Sequence, residues 1–333
     1  MTRDPGPGED EFETIARLLR PLAGAPEALG LQDDAAAIPA RPGQDLIVSQ
    51  DAMVAGVHFL EGDGLDLVAR RLLRTNLSDL AAKAAEPYGY FLTVAWPHGT
   101  AWAERERLSA GLAEDQERFG LTLLGGDTVS TPGPLTLSAT ILGWTGAGAM
   151  VRRGTARPGD RLLVSGTIGD GWLGLRAARG ELEGIVAPEA VEWLAGRYRL
   201  PDPRLELRDP LRAHANAAAD VSDGLVADAG HIAEASGVRL QLDLDRLPVS
   251  EPASQWLSRR PDRAEALAAL ATGGDDYEIV LTCTSAQVQV LIEDAEAAGV
   301  ALTEIGEVVD GEGTAVLFEG RELQLARTGW RHS

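Results

Sequence analysis

Residues 9–22 place Phe12, Ile15, Leu18, Leu19 and Leu22 on one face at helical spacing, so they predict an amphipathic helix. The apolar run Leu46-Ile47-Val48 then reads as a strand that leads into Ser49-Gln50-Asp51, and residues 65–85 return to helical period. A strand over 90–96 is closed by Pro97, a helix follows over about 101–119, and a short strand over 121–124 runs into Gly125-Gly126-Asp127. Residues 135–144 alternate like a further strand. Beyond the small, flexible stretch 145–149 and the turn signal Arg157-Pro158-Gly159-Asp160, a strand starts at 161–166. Helices are predicted near 169–179, 186–196, 206–217, 224–236 and 286–299, and strands near 238–244, 277–283, 302–309 and 314–318. Strands and helices mingle without strict alternation, which predicts an α+β architecture and not a doubly wound sheet. At 333 residues two domains are expected, 1–150 and 151–333.

Superimposed on this pattern are short aspartate clusters beside glycine or hydroxyl residues: Asp33-Asp34, Ser49-Gln50-Asp51, Asn76-Leu77-Ser78-Asp79, Gly125-Gly126-Asp127-Thr128, Asp220-Val221-Ser222-Asp223-Gly224 and Gly273-Gly274-Asp275-Asp276. Carboxylates are hard oxygen ligands, and several converging on one cleft are tolerable only with cations present. Mg²⁺ on a polyphosphate is the obvious occupant, so a nucleotide-using enzyme is the first expectation. Neither the Gly-x-x-x-x-Gly-Lys-Ser/Thr loop nor a Gly-x-Gly-x-x-Gly between strand and helix occurs, so ATP would be held in another way.

Each cluster also has a bland reading. Gly125-Gly126-Asp127 can be a plain turn, or its glycines can let backbone N–H groups approach a phosphate. Ser222 or Asp223 can simply cap the helix that follows, although Asp220 two residues earlier suggests a metal and phosphate site at a helix N-terminus. Asp79, in a helix otherwise apolar or small, is either solvated or a ligand. His58 alone reads as a structural histidine, and Arg152-Arg153 as a surface pair or a phosphate clamp.

The net charge of −21 argues against nucleic acid and against anionic membranes as partners. One lysine, Lys83, stands against twenty-nine arginines, so positive charge in a site must come from arginine or metal. The single cysteine, Cys283, excludes an internal disulfide and lies in an apolar run, as a buried thiol would. The first residues, Met1-Thr2-Arg3-Asp4-Pro5-Gly6, lack a signal-peptide core and no apolar stretch approaches membrane-spanning length, so a cytoplasmic protein is expected.

Taken in order, the clusters are more specific than any one of them. With the run Asp51-Ala52-Met53-Val54-Ala55-Gly56-Val57-His58-Phe59, and with 76–81, 125–128, 221–225 and 273–278, the chain resembles the thiamine-monophosphate kinase family. That family belongs to the superfamily of aminoimidazole ribonucleotide synthetase and selenophosphate synthetase. The resemblance runs from Asp33-Asp34 to Trp330 and implies a two-domain fold with an N-terminal ATP/Mg-binding and dimerisation domain. It also implies ATP-dependent phosphorylation of thiamine monophosphate with several Mg²⁺ ions, in a homodimer. By the family pattern Asp34, Ser49, Gln50, Asp51, Asp79, Asp127, Asp220 and Asp223 would hold metal, and Gly126, Asp127, Arg153 and Ser222 would contact the nucleotide. His58, Asp275 and Trp330 would line the thiamine monophosphate pocket, and no general base is required.

Three positions depart from the pattern: Gln32 replaces a glycine, Gln50 a threonine and Asp275 a glutamate. No reactive cysteine stands near the N-terminus, against selenophosphate synthetase. An aminoimidazole ribonucleotide synthetase-like enzyme and a non-catalytic Mg/nucleotide-binding relative remain the alternatives.

Overall fold

The computed structural model describes residues 11–330, so the predicted helical residues 9–10 and the N-terminal hexapeptide fall outside the described residues. The chain forms two compact units, one of residues 1–80 and 86–148 and one of residues 81–85 and 149–333.

The first unit contains the short helix α1 (Glu11–Thr14), then β1 (Gln44–Val54), α2 (Leu65–Ala82), β2 (Glu86–Pro97), α3 (Trp102–Phe119), β3 (Leu123–Thr131) and β4 (Thr136–Gly146). Its sheet runs β1-β4-β2-β3, antiparallel except for the parallel β2/β3 pair. Met53, Leu92, Val94, Leu137, Ala139 and Ile141 are buried on one face. Hydrogen bonds from Ser49 and Tyr90 to residues of α2 and α3 put both helices on that face. On the opposite face Leu46, Val48 and Val129 remain 38%, 56% and 46% exposed.

The expected helix over 9–22 is broken. After α1 the chain widens to a π-helical turn over Ile15–Leu19 and tightens to a 3₁₀ turn over Arg20–Leu22, where Pro21 removes a donor. Phe12, predicted on the apolar face, is exposed. The strand expected to end at 124 continues to Thr131, so Gly125-Gly126-Asp127 is not a turn.

The second unit comprises β5 (Asp160–Ser165), α4 (Asp170–Ala178), α5 (Pro188–Arg199), α6 (Arg208–His214), β6 (Ala217–Asp220), α7 (Leu225–Ser236), β7 (Arg239–Asp243), α8 (Glu251–Leu257), α9 (Arg263–Ala271), β8 (Ile279–Thr284), α10 (Val288–Ala297), β9 (Leu302–Val309), β10 (Gly313–Phe318) and β11 (Arg321–Glu322). Seven strands order as β11-β10-β7-β9-β5-β8-β6, antiparallel apart from β10/β7. The helix predicted over 206–217 ends at His214, and its last predicted residue, Ala217, opens β6, a strand of three alanines and Asp220. Lys83 belongs to this unit and donates from Nζ to the Ala218 carbonyl of β6 at 2.7 Å. Cys283 is fully buried in β8, and burial pushes its thiol up to about 12. No helix among the described residues is long and apolar enough to cross a membrane.

Candidate active site

In the first unit β1 carries Ser49 and Asp51 on the helix-covered face. The Ser49 hydroxyl donates to Asp79 Oδ2 of α2 at 2.5 Å, and the Asp51 N–H donates to Asn76 Oδ1 at 3.1 Å. Asn76 is itself fixed by donating from Nδ2 to the Leu72 carbonyl at 2.8 Å, one turn back in α2. Asp79 is thus neither solvated surface nor a cap: it is half-buried and faces the strand. The donors gathered here are all oxygen, the set a hard cation takes.

Gln50 stands on the other face, where its Nε2 donates to Ser138 Oγ of β4 at 3.1 Å. Strand pairing continues through Ala52, Ser138, Thr93 and Asp127 as one row, so Asp127 shares the Gln50 face. Asp127 lines a cleft of about 570 Å³ with Gln32, Asp33 and Asp34. The predicted oxygen ligands of this unit therefore form a Ser49, Asp51, Asp79 group on one face and an Asp34, Asp127 group at the β3 edge.

Gly126 has its own structural reason. It sits at φ +154°, and a Cβ there would lie 1.8 Å from the Leu92 carbonyl oxygen of β2. Only glycine lets β3 lie this close to β2. The His58 side chain closes the turn after β1, with Nδ1 accepting from the Val54 N–H at 3.0 Å; this role leaves the ring proton on Nε2.

In the second unit the loop between β6 and α7 is the organising feature. Asp220 ends β6 and is buried. Neither Ser222 nor Asp223 caps α7; the cap position is Gly224, at φ +119°, with no side-chain cap bond. The N–H groups of Ser222, Asp223 and Gly224 instead donate to one oxygen, Oδ2 of Asp228 inside α7, at 3.0, 3.0 and 3.2 Å. These helix-terminal donors, expected to meet phosphate, are already occupied. Burial, reinforced by the charge of Asp223, pushes the Asp228 carboxyl up to about 7. Arg153 is close enough to act on Asp228 electrostatically.

The loop carbonyls reach outward. Ser222 O accepts from the Asp275 N–H at 2.8 Å and Asp223 O from the Trp330 N–H at 2.9 Å, so residues more than fifty positions apart in sequence are set side by side. Asp275 holds a left-handed backbone at φ +66°, and Tyr277 Oη donates to its Oδ1 at 3.3 Å. Trp330 is 53% exposed and, with Asp223 and His231, lines a cavity of about 960 Å³. Ligand atoms of Asp223, Asp228 and His231 lie within 4.8 Å of one another.

Sequence reasoning missed Asp228 and His231, and also the support under the Asp275 loop. Asp276 is fully enclosed and accepts from the N–H groups of Gly169 and Gly171 at the start of α4. Glu278 is buried and accepts from Ser165 Oγ at 2.6 Å and from both Arg204 and Arg197.

Residues 32–145 match the AIR synthase related protein N-terminal domain, and residues 157–319 the corresponding C-terminal domain. The chain is 57% identical to thiamine-monophosphate kinase of Caulobacter vibrioides over 97% of its length and 90% of the relative's. It belongs to the thiamine-monophosphate kinase family. The Escherichia coli K12 thiamine-monophosphate kinase is 36% identical over 97% of this chain and 98% of its own. The fold is similar to the crystal structure of the Stenotrophomonas maltophilia K279a kinase, at TM-score 0.80 and 37% identity, with 91% of this chain and 94% of that one covered. It is also similar to AaThiL complexed with AMPPCP and TMP, at TM-score 0.77 and 28% identity, covering 90% and 91% of the two chains. The sequence resemblance and the two-domain α+β expectation are both met in this family.

Proposed function

We propose that the protein phosphorylates thiamine monophosphate with ATP to give thiamine diphosphate and ADP, by direct in-line transfer. The observation that carries this reading is the 57% identity to a thiamine-monophosphate kinase along nearly the whole chain. AaThiL complexed with AMPPCP, a non-hydrolysable ATP analogue, and TMP supports the choice of both substrates.

In the transfer, an oxygen of the acceptor phosphate forms a bond to the γ-phosphorus while the bond to the β,γ-bridging oxygen breaks. The acceptor is already an anion, so no side chain need remove a proton; repulsion between two anions is the obstacle. Mg²⁺ ions, when bound, neutralise that charge. Asp34, Ser49, Asp51, Asp79 and Asp127 of the first unit, with Asp220 and Asp223 of the second, are the oxygen donors that would hold them. Gln50, with its side chain turned to Ser138, fits this role less well. Gly126, Asp127, Arg153 and Ser222 would orient the nucleotide, Ser222 through its hydroxyl because its N–H is taken. His58, Asp275 and Trp330 would receive thiamine monophosphate, whose cationic thiazolium and aromatic pyrimidine suit a carboxylate and an indole.

The active form is a homodimer in the cytoplasm. An open sheet face bearing Leu46, Val48 and Val129 supports the dimer, since apolar β-surface left uncovered is the mark of an interface. Gln50 and Asp127 share that face, which puts these donors at the boundary between copies. ADP release with ATP, Mg²⁺ and thiamine monophosphate tests the reading, with free thiamine and aminoimidazole ribonucleotide precursors as control acceptors. Turnover with a control acceptor and none with thiamine monophosphate would overturn it.

A further inference from the structure

The loop of Ser222, Asp223 and Gly224 wraps around an anion supplied by the chain itself. Three consecutive N–H groups converge on Oδ2 of Asp228, a residue 2% exposed and held in the rigid helix α7. Such a nest of backbone donors at a helix N-terminus otherwise attracts phosphate. The carbonyls on the loop's outer side hold the backbone of Asp275 and Trp330. Gly224 cannot be replaced by a residue that would fix the loop in some other way, because a Cβ there would lie 2.9 Å from the Thr272 backbone.

We propose that Asp228 is a positioning residue for the phosphoryl transfer, filling the nest so that the loop presents the side-chain oxygens of Asp220, Ser222 and Asp223 to metal-bound ATP and offers no bare N–H site to a metal-free anion. This rests on the kinase reading given above for its activity measurements. Asp228→Ala removes the internal anion and leaves a space that formate can fill. Asp228→Asn keeps an acceptor oxygen without the charge.

Three measurements on the full-length protein test this. In Asp228→Ala the amides of Ser222, Asp223 and Gly224 should lose hydrogen-exchange protection while the strands of the unit keep theirs. The Mg²⁺ concentration giving half-maximal ADP release should rise roughly tenfold or more, the usual effect of deleting a residue that orients a metal ligand. Millimolar formate should restore both properties in Asp228→Ala and change neither in the parent, and Asp228→Asn should fall between the two. A folded Asp228→Ala with parental amide protection and parental Mg²⁺ dependence overturns the proposal, as does formate without effect on it. A parent that releases no ADP overturns the kinase reading instead, and amide protection with formate rescue then decides the role of Asp228.

Discussion

The hydroxyl of Ser49 on β1 meets Oδ2 of Asp79 on α2 at 2.5 Å, joining the sheet to the helix that covers it through two oxygen atoms that can both ligate metal. A cation held at this pair, as proposed above, would take the place of the serine hydroxyl as the partner of the carboxylate.

Asp79→Asn should consequently lower turnover by more than about 100-fold, beyond what loss of an outer-shell partner costs, while the thermal midpoint changes little. The amide still accepts from Ser49, so packing survives and ligand charge does not. A steep fall in the midpoint with ADP release unchanged would make Asp79 a structural contact only. The parallel variant Asp51→Asn should behave in the same way.

Trp330 and Asp275 should control the acceptor rather than the nucleotide. Trp330→Ala should raise the KM for thiamine monophosphate roughly tenfold, the size of one desolvated cation–aromatic contact, and leave that for ATP within about twofold. Asp275→Gly separates side chain from backbone, because glycine adopts φ +66° without strain. Its thermal midpoint should hold or rise while the same KM increases. Equal weakening of both substrates in steady-state kinetics would place these residues in the fold and not in the pocket.

Glu278 is fully buried between Ser165, Arg197 and Arg204, and Arg204 grips both its oxygens, at 2.5 and 2.7 Å. Removing one partner of such a pair leaves a buried charge exposed to an apolar interior. Arg204→Ala should cost about 3–5 kcal/mol in urea unfolding. A loss under about 1 kcal/mol would mean that water or Arg197 compensates the carboxylate.

Burial, reinforced by the neighbouring charges of Asp170 and Glu278, holds the Asp276 carboxyl well above its ordinary range, against the opposing pull of the Gly169 and Gly171 N–H groups. A raised folded value means that the folded state keeps the proton longer than the unfolded chain does. Its contribution to stability is complete below about pH 4, the unfolded value, and is lost as pH climbs through the folded one. The unfolding free energy of the parent relative to Asp276→Asn should therefore decline as pH rises from about 4 towards neutrality. A difference that stays flat with pH would show Asp276 ionised throughout.

Long periodic elements were legible in the sequence: α2, α3, α7 and β9 lie close to where spacing predicted them. What failed had physical reasons. The strand β6 is three alanines and an aspartate, with no β-branched residue to announce it, and its hydrogen bonds to β8 are tertiary. Gly125-Gly126 reads as a turn because glycine usually marks one, yet here it permits close strand pairing. The helix over 9–22 was judged by apolar spacing, and Pro21 decided otherwise. For the site, the aspartate clusters marked the segments that carry the oxygen donors, but which face each donor takes depends on strand register. Asp228 did leave a signal: it is an acid on the same helical face as the buried Leu225, Ala229 and Ile232, where only a carboxylate with partners can sit.

Lys83 gives the molecule an unusual chemical character. Its ammonium is the chain's sole side-chain amine, and it is committed to the Ala218 carbonyl two residues before Asp220. Amine-directed acylating agents, whether a laboratory ester or a cellular acyl donor, find one side-chain amine in 333 residues, and modifying it would sever the tie to β6. The remaining cationic side chains are almost all guanidinium groups, which such reagents leave charged. Lysine-directed modification is thus confined to a single position, one packed against β6.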